Sequence, residues 1–188
     1  MQTAGFILAG GRSSRMGRNK ALLTLDNRTF IEIAASVVAE AAGNVAIVGP
    51  PEIYLRFGIP VVPDLQPNLG PLAGIEAALS ASAADWNLIV ACDMPRLALP
   101  LLRGILDEAQ AHPHAGCILP VSDGGRAEPL CAVYHKRILP AISAALKAGT
   151  RKVTEALAEE SIRYLPVSGP AFENINTPKE WRRLSVSG

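Results

Sequence analysis

The sequence predicts an α/β fold of three layers, with helices on both faces of a mostly parallel sheet. Three observations point there. Short apolar runs alternate with stretches of helical periodicity along the chain, as repeated βαβ units do. The run WNLIVA at residues 86–91 suits a strand covered on both faces. Hydrophobic residues make up 49% of the 188 and charged residues 19%, which fits a chain with a substantial core rather than a disordered one. With no internal repeat, low-complexity tract or linker, one domain over residues 1–188 is expected.

The first apolar run, Phe6-Ile7-Leu8-Ala9, opens into a glycine-rich basic loop within GFILAGGRSSRMGRNK. Gly10, Gly11 and Gly17 let a ligand approach the main chain. Arg12, Arg15, Arg18 and Lys20 bring positive charge to the same loop. A strand that ends in exposed amides and cations suits a phosphate chain. The loop is not a Walker A loop, because five residues separate Gly11 from Gly17 and Arg18-Asn19 precede Lys20. The dinucleotide fingerprint is absent as well.

Thr29-Phe30-Ile31-Glu32 has capping-box spacing, and a helix is expected from there to a stop near Gly43. Residues 44–48 read as a second strand, and Pro50-Pro51 as the start of a short helix ending near Gly58. Residues 60–63 form a brief extended segment that delivers Asp64. After the loop LQPNLG, Pro71 suits the first turn of a helix through about Ala83. The strand at 86–91 ends in Cys92-Asp93-Met94-Pro95. A helix over 99–111 and a strand over 116–121 follow. The turn signal Ser122-Asp123-Gly124-Gly125 separates that strand from one at 129–134, so an antiparallel pair is expected in this part of the sheet. Helices near 138–147 and 152–159, a strand at 162–167 and a terminal helix from Pro178 complete the pattern.

A formal net charge of +1 argues against a large nucleic-acid surface, and the basic residues of the first loop suggest a small anionic ligand instead. No apolar run reaches membrane-spanning length. Met1 leads almost directly into the glycine-rich loop without a signal-peptide pattern, so a cytoplasmic location is expected. Cys92, Cys117 and Cys131 are odd in number and widely spaced, which fits small core residues in a reducing compartment. His112, His114 and His135 lack metal-ligand spacing.

Ligands of open α/β sheets bind beyond the carboxyl ends of the strands, where the glycine-rich loop, Asp64 and Asp93 are expected to converge. Asp93 reads either as a ligand for Mg²⁺ or as a turn cap, and the basic loop nearby favours the metal. Asp64 could cap the turn after it or accept from a ribose or base. Gly70-Pro71 reads as an anion site or an ordinary helix entrance. Arg151 reads as a solvated charge or a second phosphate clamp, and Glu128 as a substrate-facing or an edge carboxylate.

The ordered motifs LAGGRSSRMGRNKALL, VVPD, GPLAGI, CDMP, EPLCAVY and FENINTP resemble the molybdenum cofactor guanylyltransferase family over nearly the whole chain. The resemblance implies a Rossmann-like nucleotidyltransferase fold and transfer of GMP from Mg-GTP to molybdopterin, with release of pyrophosphate. It also implies that Leu8, Ala9, Gly10 and Gly11 contact the nucleotide and that Arg15 and Lys20 meet its phosphates. Asp64 would help hold the nucleotide, and Asp93 would coordinate Mg²⁺. Gly70, Arg151, Asn174 and Asn176 look like the positions that handle molybdopterin or the joined product. A molybdoenzyme or chaperone would receive that product as a transient partner. Two departures stand out: Asn19 occupies a position where the family pattern has Asp, and VAIVGPPEIY lacks the asparagine many members place after the second strand. The rival readings are a molybdopterin cytidylyltransferase, a sugar-phosphate nucleotidyltransferase, a non-catalytic GTP-binding accessory protein and, with least weight, a redox module.

Overall fold

The computed structural model describes residues 1–10, 19–64, 66, 69–158, 160–169, 172 and 180. In chain order, β1 (Thr3–Leu8) precedes a small hairpin of β2 (Thr24–Leu25) and β3 (Arg28–Thr29), and then α1 (Phe30–Ala42), β4 (Ala46–Val48) and α2 (Pro51–Tyr54). β5 (Val61–Val62), α3 (Pro71–Ala81), β6 (Trp86–Ala91) and α4 (Leu99–Ala111) follow. The last described elements are β7 (Cys117–Val121), β8 (Cys131–His135), α5 (Leu139–Lys147), α6 (Val153–Ala156) and β9 (Ile162–Pro166). The terminal helix expected from Pro178 lies outside the described residues, apart from Glu180.

Among the described residues the main sheet has seven strands in the order β5-β4-β1-β6-β8-β7-β9. Every neighbouring pair is parallel except those made by β8, which runs against both β6 and β7. The antiparallel pair expected near residues 116–134 is therefore present, and β8 extends it by also lying antiparallel to β6.

Alternation along the central strands assigns the layers. Phe6, Leu8 and Ile89 point to the face covered by α3 and α5, packing with Leu72, Ile75 and Ile142. Ile7, Leu88 and Val90 point to the opposite face and pack with Ile31 and Val38 of α1 and Leu102 of α4. All six residues of β6 are buried, as a strand covered on both sides must be. Each Leu or Ile fully removed from water there contributes about 1.5–3 kcal/mol.

Local chemistry explains where the elements start and stop. The Thr29 hydroxyl accepts from the Glu32 amide and the Glu32 carboxylate accepts from the Thr29 amide, so the capping box is formed. Gly43 ends α1 in the left-handed region, at φ 79°. Strand β4 starts at Ala46 rather than Asn44 because the Asn44 side chain is used elsewhere: it accepts from the Gly5 amide and donates to the Thr3 carbonyl. Helix α3 stops at Ala81, short of Ala83, where Ser82 turns extended and its hydroxyl accepts from the Ala84 amide. β8 begins after Pro129, which has no amide to offer a ladder. The β2–β3 hairpin was not expected from the sequence. Its turn is made by Asp26 and Asn27 at φ 49° and 60°, the positive-φ pair that a tight hairpin needs and that these residue types tolerate.

Candidate functional site

Strand β1 is followed by α1 on one face and β4 on one side, whereas α3 crosses the other face to place β6 on β1's other side. The chain thus diverges at β1, which leaves a crevice beyond its carboxyl end. Main-chain bonds carry the sheet to the rim: the Ala9 amide donates to the Val48 carbonyl at 2.9 Å and the Cys92 amide to the Leu8 carbonyl at 3.2 Å. Leu8, Ala9, Gly10, Lys20, Asp64, Gly70 and Asp93 all line this one cleft, although they come from five separate stretches of sequence.

The charged centre of the cleft is a pair separated by 73 positions: Lys20 Nζ lies 3.2 Å from Asp93 Oδ2. Their side chains are 18% and 19% exposed, so the pair is shielded yet open to a ligand from one side. Lys20 starts a short 3-10 helix (Lys20–Leu22) capped by the side chain of Asn19. Asp93 leaves the end of β6 directly, where the buried strand fixes its origin. In the same cleft, Asp64 Oδ1 accepts from the Gln66 amide at 3.0 Å, so the turn-capping reading of Asp64 is realised. Its other oxygen faces the Gly10 main chain and would lie 3.4 Å from a Cβ placed there. Gly70 caps α3 at φ 86° and ψ −173°, a backbone region that is essentially closed to other residues.

Several candidate residues stand elsewhere. Arg151 is exposed, does not line the cleft, and donates to the carbonyls of Leu146 and Thr150. Gly11, Arg15, Asn174 and Asn176 lie outside the described residues. Glu128 is buried behind the rim, 3.5 Å from Arg126, and burial raises its carboxyl above the usual range. His112 contacts Glu108 of its own helix, and His135 meets the edge of Trp86, so both have structural neighbours.

Two residues that the sequence did not mark as site residues belong to this region. Asn19 lines the cleft, and Tyr54 lies behind it with no exposed surface. Asn19 was legible as a cap before a helical turn. Tyr54 carried no local signal, because its contacts are with Ala9 and Asn19, which are 45 and 35 positions away.

The donor set fits Mg²⁺. Among the described residues there is no group of three or more His, Cys, Asp or Glu side chains that could enclose a metal. Asp93 offers hard oxygen donors at the charged centre of the cleft, which suits Mg²⁺ when it keeps waters and shares substrate oxygens.

The cysteines do not form a reactive cluster. Burial pushes the Cys92 and Cys117 thiols up to about 12, and the Asp93 carboxylate adds to the effect at Cys92. Burial raises Cys131 as well. The thiolate is the reactive form, so iodoacetamide at pH 8 is expected to label the native chain slowly and all three thiols quickly in urea. A native thiol labelled as fast as in urea would contradict this. No helix among the described residues is long and apolar enough to cross a membrane.

Residues 5–161 match the family described as the MobA-like NTP transferase domain. The probable molybdenum cofactor guanylyltransferase of Pelotomaculum thermopropionicum is 40% identical, over 99% of this chain and 93% of that protein. The molybdenum cofactor guanylyltransferase of Vibrio vulnificus is 35% identical, over 95% of this chain and 92% of that protein. Among solved structures, molybdopterin-guanine dinucleotide biosynthesis protein A from Archaeoglobus fulgidus superposes with a TM-score of 0.84 at 24% identity, covering 98% and 97% of the two chains. CMP:2-keto-3-deoxy-manno-octonic acid synthetase superposes at 0.82 with 13% identity, covering 100% and 98%. These superpositions show a shared nucleotidyltransferase fold.

Proposed function

This chain belongs to the MobA-like NTP transferase family, and from that premise we propose how its cleft carries out the reaction. Its full-length similarity to molybdenum cofactor guanylyltransferases makes it a guanylyltransferase that joins GMP from GTP to molybdopterin. A terminal phosphate oxygen of molybdopterin attacks the α-phosphorus of GTP. The bond from the α-phosphorus to the bridging oxygen of the β-phosphate breaks, and that oxygen leaves with pyrophosphate. No protein nucleophile enters this balance.

Both reactants are anions, so alignment and charge neutralisation make the larger contribution. The observation that carries the assignment is the Lys20–Asp93 pair at 3.2 Å, beside the main chain of Leu8–Gly10 in one cleft. Leu8, Ala9, Gly10 and Gly11 hold the nucleotide, and Lys20 and Arg15 meet its phosphates. Asp64, already tied to the Gln66 amide, keeps one oxygen toward Gly10 to help hold the nucleotide. Asp93 would hold Mg²⁺, which when bound supplies further positive charge at the phosphates. Gly70, Asn174 and Asn176 are assigned to molybdopterin and the joined product, with Arg151 reaching them from outside the described cleft. A molybdoenzyme or chaperone in the cytoplasm takes the product by transient contact.

The test is pyrophosphate release by the purified chain with molybdopterin and Mg²⁺, run with GTP, CTP, ATP and UTP in parallel. GTP-selective release that needs molybdopterin is the expected result. Preference for CTP would move the chain to cytidylyl transfer, and no release despite GTP binding would make it an accessory protein.

A further inference from the structure

Tyr54 links the segment that carries the cleft's main chain to the segment that carries its lysine. We propose that the chain Asn19–Tyr54–Ala9 holds Lys20 in register with Gly10 for catalysis, which makes Tyr54 and Asn19 positioning residues. The inference rests on the assignment of Lys20 to the nucleotide phosphates.

The polarity of the chain follows from its partners. The Ala21 amide, which can only donate, gives its proton to Asn19 Oδ1 at 3.0 Å. This orients the side-chain amide and leaves Asn19 Nδ2 to donate to the Tyr54 hydroxyl oxygen at 2.9 Å. The single hydroxyl proton of Tyr54 then goes to the Ala9 carbonyl at 2.8 Å. Burial raises the Tyr54 hydroxyl to about 12, so it keeps that proton throughout the neutral range. The Tyr54 hydroxyl also lies 3.3 Å from Asn19 Oδ1, but the shorter contact to Ala9 takes its single proton.

Two consequences reach the cleft. The Ala9 carbonyl and the Gly10 amide share one planar peptide, so fixing the carbonyl on Tyr54 turns the Gly10 N–H the opposite way. Asn19 is the cap and the immediate neighbour of Lys20, so the same chain fixes where the lysine side chain begins. Residues 11–18 lie between these two anchors in sequence, and Tyr54 bonds to both. Gly49 makes room for the ring. A Cβ there would fall 2.9 Å from Tyr54 Cε2 and 3.4 Å from the Ala9 carbonyl carbon.

Tyr54→Phe keeps the ring and removes both hydroxyl bonds. Asn19→Ser keeps a capping oxygen for the Ala21 amide but removes the amide donor to Tyr54. Each variant is expected to lower kcat about tenfold at saturating GTP and Mg²⁺, the scale of a modest misplacement of a reacting group. The double variant should be no slower than about tenfold as well, because both changes break the same link. Ile142→Val, a core truncation on the far face, should lower Tm without changing kcat. In a Lys20→Ala background, Tyr54→Phe should leave kcat where it is. An unchanged kcat in Tyr54→Phe beside a slow Lys20→Ala would overturn the positioning role alone. A multiplicative, about hundredfold loss in the double variant would do the same. Normal turnover by Lys20→Ala would remove the assignment of Lys20 and this inference with it.

Discussion

Replacing Asp93 or Lys20 with alanine is expected to slow GMP transfer by roughly 10²–10³ at saturating GTP and Mg²⁺, about 3–4 kcal/mol of transition-state stabilisation. The size follows from where the charges sit. At 3.2 Å and about one-fifth exposed, the pair is held in place before any ligand arrives, so neither group has to be ordered at the moment of reaction. Removing Lys20 also takes from Asp93 the cation 3.2 Å away in a partly shielded cleft. The two losses should therefore be far from additive, with Lys20→Ala/Asp93→Ala little slower than the slower single variant. Because the reaction brings anions together, the defect should appear in kcat and not merely in KM for GTP. Turnover within a few fold of the parent in either variant would refute the assigned roles.

The largest stability effect is expected at Gly5. Its backbone is not in the left-handed region, so conformational freedom is not the reason for glycine there. A Cβ at Gly5 would lie 2.5 Å from Val38 Cγ1 and 2.6 Å from the Asn44 carbonyl oxygen. Val38 could change rotamer, but the Asn44 carbonyl belongs to the backbone, and the Asn44 side chain is itself bonded to the Gly5 amide at 3.1 Å. Gly5→Ala must therefore push β1 away from the end of α1, at an expected cost of about 2–3 kcal/mol. Urea denaturation measures this directly, and a loss under about 0.5 kcal/mol would show that the contact relaxes freely. The change lies at the start of β1, remote from the cleft at its other end, so kcat per folded molecule should hold.

Much of the site was readable because its signals are local. A glycine-rich loop after an apolar run, an aspartate after a largely apolar strand and a proline in the first turn of a helix each depend on a few adjacent residues. The role of Asp64 was a different matter: whether it caps a turn or faces a ligand could not be chosen from LQPNLG, and in space it does the first with one oxygen while the other faces Gly10. By the family pattern an Asp at position 19 would stand next to Lys20, and Asn19 removes that charge. The lysine instead pairs with Asp93, and the neutral amide suits Asn19 to donate to Tyr54, which an aspartate could not do. Arg151 was equally undecided, since a basic residue in a glycine-containing turn reads the same whether it meets a phosphate or nearby carbonyls such as those of Leu146 and Thr150.

The sequence by itself determined the α/β class, most of the elements, the family and the residues at the strand ends. These depend on short-range periodicity, capping and turn chemistry, and on the order of motifs along the chain. Tertiary structure alone decided which strand lies beside which, that β8 runs against its neighbours, and that Lys20 meets Asp93 while Tyr54 joins Ala9 to Asn19. Those contacts join residues 35 to 73 positions apart. Their energy comes from burial and matched donors and acceptors that exist only once the layers have packed.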